Sequence, residues 1–378
     1  MTATLTETIL TVDGIRSPVL QAGPPHAEEA VVFVHGNPGS SQDWARLVER
    51  SGAFARAVAW DHPGFGQADK PADFDYTVEG YAAHLGRCLD ALGITRAHLV
   101  LHDFGGAWGM AWAAVHPDAF ASATLINIGI LPGYRWHYLA RIWRTPLLGE
   151  LFNATTTRTG FRLLLRHGNP SRLPQPFVDR MYADLDRGTK RAILALYRAT
   201  DDPAGDSVRL AAALRPLDPP TLVIWGRHDP YLPVALAGRQ REAFPSARVQ
   251  ILDGSGHWPF ADDPERTERL VLEFLGEVVG GRPPRGGRLA TRGRPASRVK
   301  PEGDRQAAMP DVIACPDPTC RAPARIVDRW TWSSTAGPVE HVKTGCERGH
   351  WFTPTVDSLD LRPAPTAAEP SPVPVPLD

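Results

Sequence analysis

The sequence predicts an α/β protein with a helical insertion and a small β-rich module towards the C-terminal end. Three observations support this prediction. Short apolar runs end in glycine-containing turns and are followed by helical patterns, as in alternating strands and helices. A stretch of about 90 residues rich in helix formers and aromatics interrupts this alternation. The composition then changes sharply near Gly280, where glycine, proline and arginine replace most apolar residues.

The first strand relevant to function is an apolar run at 30–34, which leads into the segment H-G-N-P and a helix expected to begin near Ser41. Gly36 lets the backbone approach a reacting centre. The N–H of Asn37 is placed to complete an oxyanion hole while its side-chain amide faces a leaving group. The alternative is an ordinary strand-to-helix loop. The later loop at 61–66 is interpreted as structural.

The most informative position is Asp103, in the run HLVLHDFGGAWGM. An apolar strand predicted at 97–101 ends here and two glycines open an Ala/Trp-rich helix, so the segment is predicted to be strand, sharp turn and helix. This is the pattern of a nucleophile elbow, with Asp103 in place of the usual serine and the Phe104 N–H as an oxyanion donor. Leu101 departs from the pattern, which has a small residue there. The alternative role for Asp103 is to cap the helix.

A long insertion follows the strand predicted at 121–128 and occupies about 131–215. Its composition predicts a cap that encloses an apolar pocket and governs leaving-group chemistry. Most of its aromatic side chains are expected to pack within the cap, and one or two to line the pocket. The pocket candidates are Tyr134, Trp136, Tyr138 and Trp143, and the cap also contains His137, Tyr182 and Tyr197.

Two later loops supply a candidate acid and a candidate base. A strand at 221–225 leads into a turn that carries Asp229, the candidate orienting acid. A strand ending near Leu252 leads into a short glycine-flanked loop that carries His257, and an amphipathic helix follows from about Pro264. His257 is therefore the candidate base. The chain order is nucleophile, acid, base.

On the motifs H-G-N-P and H-D-x-G-G, residues of about 5–280 resemble the α/β-hydrolase fold, a mostly parallel eight-stranded sheet flanked by helices. More specifically, they resemble its aspartate-nucleophile branch, which contains haloalkane dehalogenases and epoxide hydrolases. The resemblance implies that Asp103 is the nucleophile, His257 the water-activating base and Asp229 its partner. It also implies that Asn37 and Phe104 surround the oxyanion and the leaving group, and that catalysis needs no cofactor.

The residue types predict the chemistry, because a carboxylate that attacks an sp3 carbon forms an alkyl-enzyme ester, which water then hydrolyses. The expected substrate is a small apolar electrophile. Asn37 matches a halide ligand, whereas Phe104 lacks the indole N–H that dehalogenases usually place after the nucleophile. Epoxide hydrolases need paired cap tyrosines, and no spacing singles out a pair here.

We therefore expect a haloalkane dehalogenase-like enzyme, with an epoxide hydrolase as the next alternative and a lactone-type hydrolase as the third. A function of a different class also remains, in which the hydrolase fold has lost catalysis and the chain is a binding protein. The presence of Asp103, Asp229 and His257 together argues against this last reading.

The C-terminal part is predicted to comprise a disordered basic linker at 281–310, a zinc-ribbon-like module at 311–361 and a disordered Pro/Ala-rich tail at 362–378. Three thiolates and one imidazole would form a closed tetrahedral structural zinc site. The alternative is a set of unrelated cysteines. A nucleic-acid or protein partner of this module stays open. The predicted ligands are Cys315, Cys320, Cys346 and His350.

Length and composition agree with an enzyme of this kind. The chain has 378 residues, 43% of them hydrophobic, which suffices for a sizeable core, and its net charge of −1 suggests no overall electrostatic partner. The N-terminal segment lacks the basic and apolar regions of a signal peptide, and no run is long enough to span a membrane. The expected location is cytoplasmic, and four cysteines without a disulfide framework agree with a reducing compartment.

Overall fold

The computed structural model describes residues 3–166, 169 and 173–279, and, further along the chain, 312–314, 320, 322–334, 337–346, 348 and 351–352. The chain divides into two compact units, Met1–Arg288 and Leu289–Asp378. The predicted linker at 281–310 and tail at 362–378 lie outside the described residues.

The first unit is built on an eight-stranded sheet in the order β1-β2-β4-β3-β5-β6-β7-β8. The hairpin of β1 and β2 is antiparallel, β2 pairs antiparallel with β4, and the other pairs are parallel. This confirms the predicted mostly parallel sheet. The strands are β1 Thr6–Val12, β2 Ile15–Ala22, β3 Glu29–Val34, β4 Arg56–Trp60, β5 Arg96–His102, β6 Phe120–Ile126, β7 Thr221–Gly226 and β8 Arg248–Leu252.

The central strands are buried on both faces, which explains why they read as continuous apolar runs rather than as alternating patterns. All residues of β4, β6 and β7 are buried. One large apolar cluster lies on the sheet face covered by α2 and the cap, and a second lies on the face covered by α1 and α12. The flanking helices are α1 Ala45–Ser51, α2 Val78–Ala91, α3 Phe104–Val115, α10 Ala235–Arg239, α11 Pro259–Asp262 and α12 Pro264–Val278.

The predicted boundaries agree with these elements to within a few residues. The helix expected near Ser41 begins as a 3-10 turn, Ser41–Trp44, before α1. The strand predicted at 121–128 ends earlier, because Asn127 has a φ of 47° and cannot continue the extended backbone.

The long insertion forms a helical cap between β6 and β7. In the part of the insertion that the structure describes, six helices cover 138–214. Salt bridges connect the cap to the loops of the core, including Arg180 to the buried Asp43 and Lys70 to Asp186. The cap helices are α4 Tyr138–Arg144, α5 Leu148–Thr155, α6 Arg158–Arg166, α7 Gln175–Asp184, α8 Arg187–Ala199 and α9 Pro203–Leu214.

The second unit contains an antiparallel four-stranded sheet in the order β12-β11-β10-β9. The longest pair joins β10 and β11. Cys320 lies shortly before β10 and Cys346 ends β11, whereas the predicted ligands Cys315 and His350 lie outside the described residues. The strands are β9 Val312–Ala314, β10 Pro323–Ser334, β11 Gly337–Cys346 and β12 Trp351–Phe352.

None of the helices in the described ranges is both long enough and apolar enough to cross a membrane.

Candidate active site

The predicted elbow is present, and its backbone is strained at the expected residue. Asp103 lies between β5 and α3 with φ 49° and ψ −132°, a conformation that non-glycine residues rarely adopt. The elbow needs small neighbours. A Cβ on Gly36 would lie 2.3 Å from the Asp103 Cβ, and one on Gly105 would lie 2.4 Å from the carbonyl oxygen of His35. These glycines let the two loops approach each other, which lifts Asp103 above the sheet edge.

Two backbone N–H groups are available near the Asp103 carboxylate. The N–H of Asn37 donates to Oδ1 of Asp103 at 2.7 Å. Phe104 is the first residue of α3, and the first N–H groups of a helix have no partner within it. Asn37 itself is 6% exposed, and neither polar atom of its side chain makes a hydrogen bond of ordinary geometry. The loop therefore presents a backbone donor and a buried amide, and this amide interacts with the Tyr197 hydroxyl.

The structure brings the three predicted triad residues together. Nδ1 of His257 lies 2.7 Å from Oδ2 of Asp229, and Nε2 lies 3.5 Å from Oδ2 of Asp103. All three side chains are largely buried. The parallel strands explain this assembly, because β5, β7 and β8 end at the same edge of the sheet and their loops carry one residue each. The imidazole is thus held between two carboxylates.

Asp229 is fixed by its surroundings. Its Oδ1 accepts the N–H groups of Tyr231 at 2.8 Å and Leu232 at 3.0 Å, and its Oδ2 accepts the amide Nδ2 of Asn127 at 2.6 Å. The Asn127 Oδ1 in turn accepts the N–H of Gly226 at 2.9 Å. Asn127 was not identified from the sequence, since one polar residue after a buried strand gives no distinctive pattern.

The opposite charges of His257 and its two carboxylate neighbours shift the pKa values in the triad. Burial disfavours the charged form of His257, yet the carboxylates of Asp229 and Asp103 outweigh it and raise its pKa to about 10. Burial also disfavours the charged form of Asp103, yet the hydrogen bond and charge of His257 outweigh it and lower its pKa to about 2. The resting site therefore holds an imidazolium beside an ionised Asp103 at neutral pH.

His102 is hydrogen-bonded to the backbone of the loop that carries the base. Its Nε2 lies 2.8 Å from the carbonyl oxygen of His257, and a carbonyl only accepts, so Nε2 carries the proton. Burial lowers the pKa of His102 to about 3, and the neighbouring His257 charge acts in the same direction. A neutral His102 thus ties the loop of His257 to the end of β5.

Two cavities meet above Asp103. The residues they share are Asp103, His137, Tyr197 and Tyr231, which we call the neck. Outside the neck, both cavities are lined mainly by apolar side chains. The larger cavity runs between α2, α3 and α9, past Val78, Ala107, Met110, Ala111 and Leu210. The smaller cavity runs between the cap helices, past Leu139, Phe152, Phe161, Leu165 and Ile193, and also reaches Asn37 and His257.

The four cap aromatics proposed from the sequence have different positions. Tyr134 and Trp136 line the larger cavity, and the buried indole Nε1 of Trp136 makes no hydrogen bond to any residue that the structure describes. Trp143 lines the smaller cavity, but its indole donates to Oδ1 of Asn153 at 3.1 Å. Tyr138 is 41% exposed and lines neither cavity.

Two neck residues were seen in the sequence only as general cap aromatics, and one was not singled out at all. His137 and Tyr197 belong to the cap, whereas Tyr231 follows the Asp229 turn and its ring lies 5.0 Å from that of His257. Tyr197 is placed by the rotation of α8, whereas His137 and Tyr231 are placed by the loops before α4 and after β7, and the sequence pattern specifies neither. Among the described residues, no group of three or more His, Cys, Asp or Glu side chains could hold a metal ion.

Comparison with known proteins agrees with this architecture. A family model described as alpha/beta hydrolase fold matches residues 29–264. A cis-3-alkyl-4-alkyloxetan-2-one decarboxylase of Xanthomonas campestris pv. campestris is 30% identical over 286 residues, covering 69% of this chain and 93% of that protein. A 2-hydroxy-6-oxononadienedioate/2-hydroxy-6-oxononatrienedioate hydrolase of Pseudomonas sp. is 25% identical over 254 residues, covering 66% of this chain and 89% of that protein.

Solved structures show the same likeness in three dimensions over about 72% of the chain. A mutant of the haloalkane dehalogenase DatA from Agrobacterium tumefaciens aligns with a TM-score of 0.62 at 22% identity, over 72% of this chain and 97% of that one. The epoxide hydrolase CorEH aligns with a TM-score of 0.62 at 18% identity, over 72% of this chain and 99% of that one. The family match and the 30% identical relative show that the chain belongs to the α/β-hydrolase fold family.

Proposed function

We propose that the protein is an enzyme in which Asp103 attacks a carbon of a small apolar electrophile that carries two alkyl arms. The observation that carries this proposal is the pair of apolar cavities that meet at Asp103. A substrate whose reacting carbon sits at the neck would place one arm in each cavity. The substrate class that fits best is a cis-3,4-dialkyl oxetan-2-one, a strained four-membered lactone.

The 30% identical relative supports this choice, because it is named for a reaction of this lactone class. The substrates named for the Pseudomonas hydrolase fit less well. They are dicarboxylates, and the larger cavity presents the carboxylates of Glu79 and Asp206, the latter paired with Arg209. A dianion would meet repulsion there and would leave the apolar lining in contact with charge.

The lactone reaction can be written with this site and no further reactant. The Asp103 carboxylate attacks C4, the alkyl-bearing sp3 carbon bonded to the ring oxygen, and the bond between C4 and that oxygen breaks with its electron pair on the oxygen. A carboxylate then remains on the adjacent carbon. Its bond to that carbon breaks, carbon dioxide leaves, and the electron pair forms the alkene. The ester bond breaks at the same time and returns the Asp103 carboxylate.

The other site residues have separate roles in the proposal. The charged His257, held by Asp229, keeps Asp103 ionised and faces the carboxylate that develops on ring opening. The N–H groups of Asn37 and Phe104 orient the nucleophile, and Gly36 allows their approach. If an ester of Asp103 persists, its formation removes the Asp103 charge. The pKa of His257 then falls, so the imidazole becomes able to deprotonate water.

The test is to incubate the purified protein with cis-3,4-dibutyloxetan-2-one and to quantify alkene, carbon dioxide and hydroxy acid by mass spectrometry. We expect alkene and carbon dioxide in equal amounts from the natural protein and none from Asp103→Asn. Hydroxy acid in place of alkene would assign lactone hydrolysis instead. No consumption of the lactone would reject the substrate class, and equal consumption by Asp103→Asn would reject the nucleophile.

Dehalogenation of haloalkanes, which the sequence favoured, is the second candidate. The observation in its favour is that the Trp136 indole Nε1 is buried without a hydrogen bond to any described residue, and that the buried Asn37 amide lies beside the Tyr197 hydroxyl; both residues lie on the cavity walls around Asp103. Such N–H donors stabilise a departing halide. Release of bromide from 1-bromobutane and 1-bromohexane would support this reaction. Epoxides belong in the same substrate panel, because Tyr134 and Tyr197 both line the larger cavity.

For the second unit we propose a structural zinc held by Cys315, Cys320, Cys346 and His350. Its support is the Sγ–Sγ distance of 3.9 Å between Cys320 and Cys346. Two thiolates on one tetrahedral zinc, each about 2.3 Å from the metal, lie about 3.8 Å apart. Metal analysis of the full chain should give about one zinc per molecule, and Cys320→Ser with Cys346→Ser should lose it. A metal-free natural protein with the same thermal stability after chelation would exclude this site.

A further inference from the structure

His137 has a defined protonation state in the neck. It precedes α4, and its Nδ1 accepts a hydrogen bond from the N–H of Ala140 at 3.2 Å. A backbone N–H can only donate, so Nδ1 carries no proton. Burial lowers the pKa of His137 to about 4, so the ring is neutral at physiological pH. Its single ring proton therefore lies on Nε2.

The position of this proton determines which group donates in the hydrogen bond between His137 and Tyr197. The Tyr197 hydroxyl oxygen lies 3.4 Å from Nε2 of His137. Since Nε2 carries the ring proton, His137 is the donor and the hydroxyl oxygen is the acceptor. The proton of Tyr197 is then left for an acceptor other than His137, and in the structure the side chain of Asn37 is the neighbour that interacts with this hydroxyl. With the opposite tautomer, Tyr197 would donate to His137 instead, and no proton would remain for another partner.

The surroundings of Tyr197 restrict where its hydroxyl can donate. Its ring packs against Phe104 at 5.1 Å, Trp136 at 5.3 Å and Trp143 at 4.9 Å, and its side chain is 3% exposed. It lines both cavities together with Asp103. Burial and the Asp103 charge raise its pKa, so it stays a phenol. The hydroxyl is thus a neutral donor held in the neck where a leaving group must depart.

We propose that His137 is a positioning residue, which directs the Tyr197 hydroxyl to donate to the oxygen or halide leaving the carbon that Asp103 attacks. The proposal rests on the proposed function, because it needs a leaving group at the neck. It assigns the cap a defined role in the reaction. His137 touches the reacting atoms only through Tyr197, whereas Tyr197 contacts the leaving group directly.

The first experiment is a double-mutant cycle on His137→Asn and Tyr197→Phe. Asparagine at 137 still provides an oxygen that can cap α4, but it lacks the ring N–H that reaches Tyr197. The readout is the single-turnover rate of substrate consumption with cis-3,4-dibutyloxetan-2-one and with 1-chlorohexane and 1-bromohexane. Tyr138→Phe is the matched control, since it removes a hydroxyl from the adjacent residue, which lines neither cavity.

We expect Tyr197→Phe to slow the reaction about 10-fold to 100-fold, the effect of losing one hydrogen bond to a developing charge. His137→Asn should slow it about 10-fold alone and less than about 2-fold when Tyr197 is already phenylalanine. Both effects should be larger with the chloride than with the bromide, because the poorer leaving group needs the donor more. Tyr138→Phe should leave the rates unchanged.

The second measurement is the tautomer of His137 in the resting protein, from ¹⁵N NMR of histidine-labelled chain, with His137→Asn used to assign the signal. An Nε2-protonated neutral ring is expected. An Nδ1-protonated ring overturns the inference while the proposed function stands, and so do additive effects of the two substitutions. If the natural protein consumes none of the three substrates, the proposed function fails, and the role of His137 fails with it.

Discussion

The core loops and the cap contribute to the site in different ways. The core supplies the charged residues Asp103, Asp229 and His257, each on a loop after a strand and each held by short hydrogen bonds. The cap supplies the neutral rings of Trp136, His137 and Tyr197, which pack on one another. The sheet thus determines the position of the triad, whereas in the proposed reaction the cap would determine which leaving group and which alkyl arms fit.

Asp103→Asn should have the largest effect, because it removes the charge that the core supplies and leaves the cap intact. We expect the rate on any accepted substrate to fall by about 10⁴-fold or more. The two side chains have nearly the same shape, so the thermal unfolding midpoint serves as the control for folding. Activity within tenfold of the natural protein would mean that the attacking group lies elsewhere.

His257→Gln should separate the two reaction routes. For a bromoalkane, the ester on Asp103 needs water, so multiple turnover should fall by about 10³-fold or more and an alkyl adduct without halogen should appear in the intact mass. For the lactone, loss of carbon dioxide returns the carboxylate without water, so turnover should fall only about 10-fold. An accumulating lactone adduct would contradict the decarboxylation route.

The pH dependence of alkylation in His257→Gln should reveal how the core keeps Asp103 ionised. In the natural protein, His257 lowers the Asp103 pKa to about 2, so the bromide burst should be constant between pH 8 and pH 5. Without His257, burial raises the pKa of Asp103, and its protonated form cannot attack. The alkylation rate should then fall about 10-fold per pH unit on the acid side of that raised pKa. A flat profile in the variant would assign the low pKa to another group.

Two substitutions should test whether each cavity holds one alkyl arm of the substrate. Ile193→Phe fills the smaller cavity and Leu210→Phe fills the larger one, each with one ring. We expect each to raise KM about 10-fold for lactones with a long chain in the blocked arm. The KM for lactones with a short chain in the blocked arm should be unchanged. If both variants have the same chain-length profile, the two cavities do not hold separate arms.

Trp143→Phe should have the smallest effect. Its indole already donates to Asn153, so the loss is a structural hydrogen bond of about 1 kcal/mol in the free energy of unfolding. Trp136→Phe is its counterpart, since the Trp136 indole has no partner among the described residues and would be the donor to a halide in the proposed dehalogenation. Bromide release should fall several-fold in Trp136→Phe and not in Trp143→Phe. The reverse order would exchange the roles of the two residues.

The difference between the core loops and the cap also explains which site residues the sequence could predict. The strand ends carry local signals: an apolar run, a glycine turn and then one reactive side chain. Because parallel strands end at one edge, chain order alone predicted that Asp103, Asp229 and His257 would meet, and the structure places them within hydrogen-bonding range or close to it. Asn127, which also holds Asp229, gave no such signal.

The sequence did not predict which residues of the cap line the cavities. Tyr138 and Trp143 are separated by five positions on one short helix, yet Tyr138 faces outwards and Trp143 lines a cavity. Helix rotation depends on contacts with distant helices, which the local pattern does not contain. The relation of His137 to Tyr197 likewise joins residues 60 positions apart.

The unequal cavities on either side of one fixed nucleophile have a consequence for chirality. In a cis-disubstituted lactone, exchanging the two arms between the cavities turns the reacting carbon–oxygen bond away from Asp103. For the proposed lactone, we therefore expect only one mirror image to place one arm in each cavity with the bond between C4 and the ring oxygen in line with the attacking oxygen. From a racemic cis-3,4-dialkyl oxetan-2-one, with equal or different chains, we expect one enantiomer to be consumed and the other to remain.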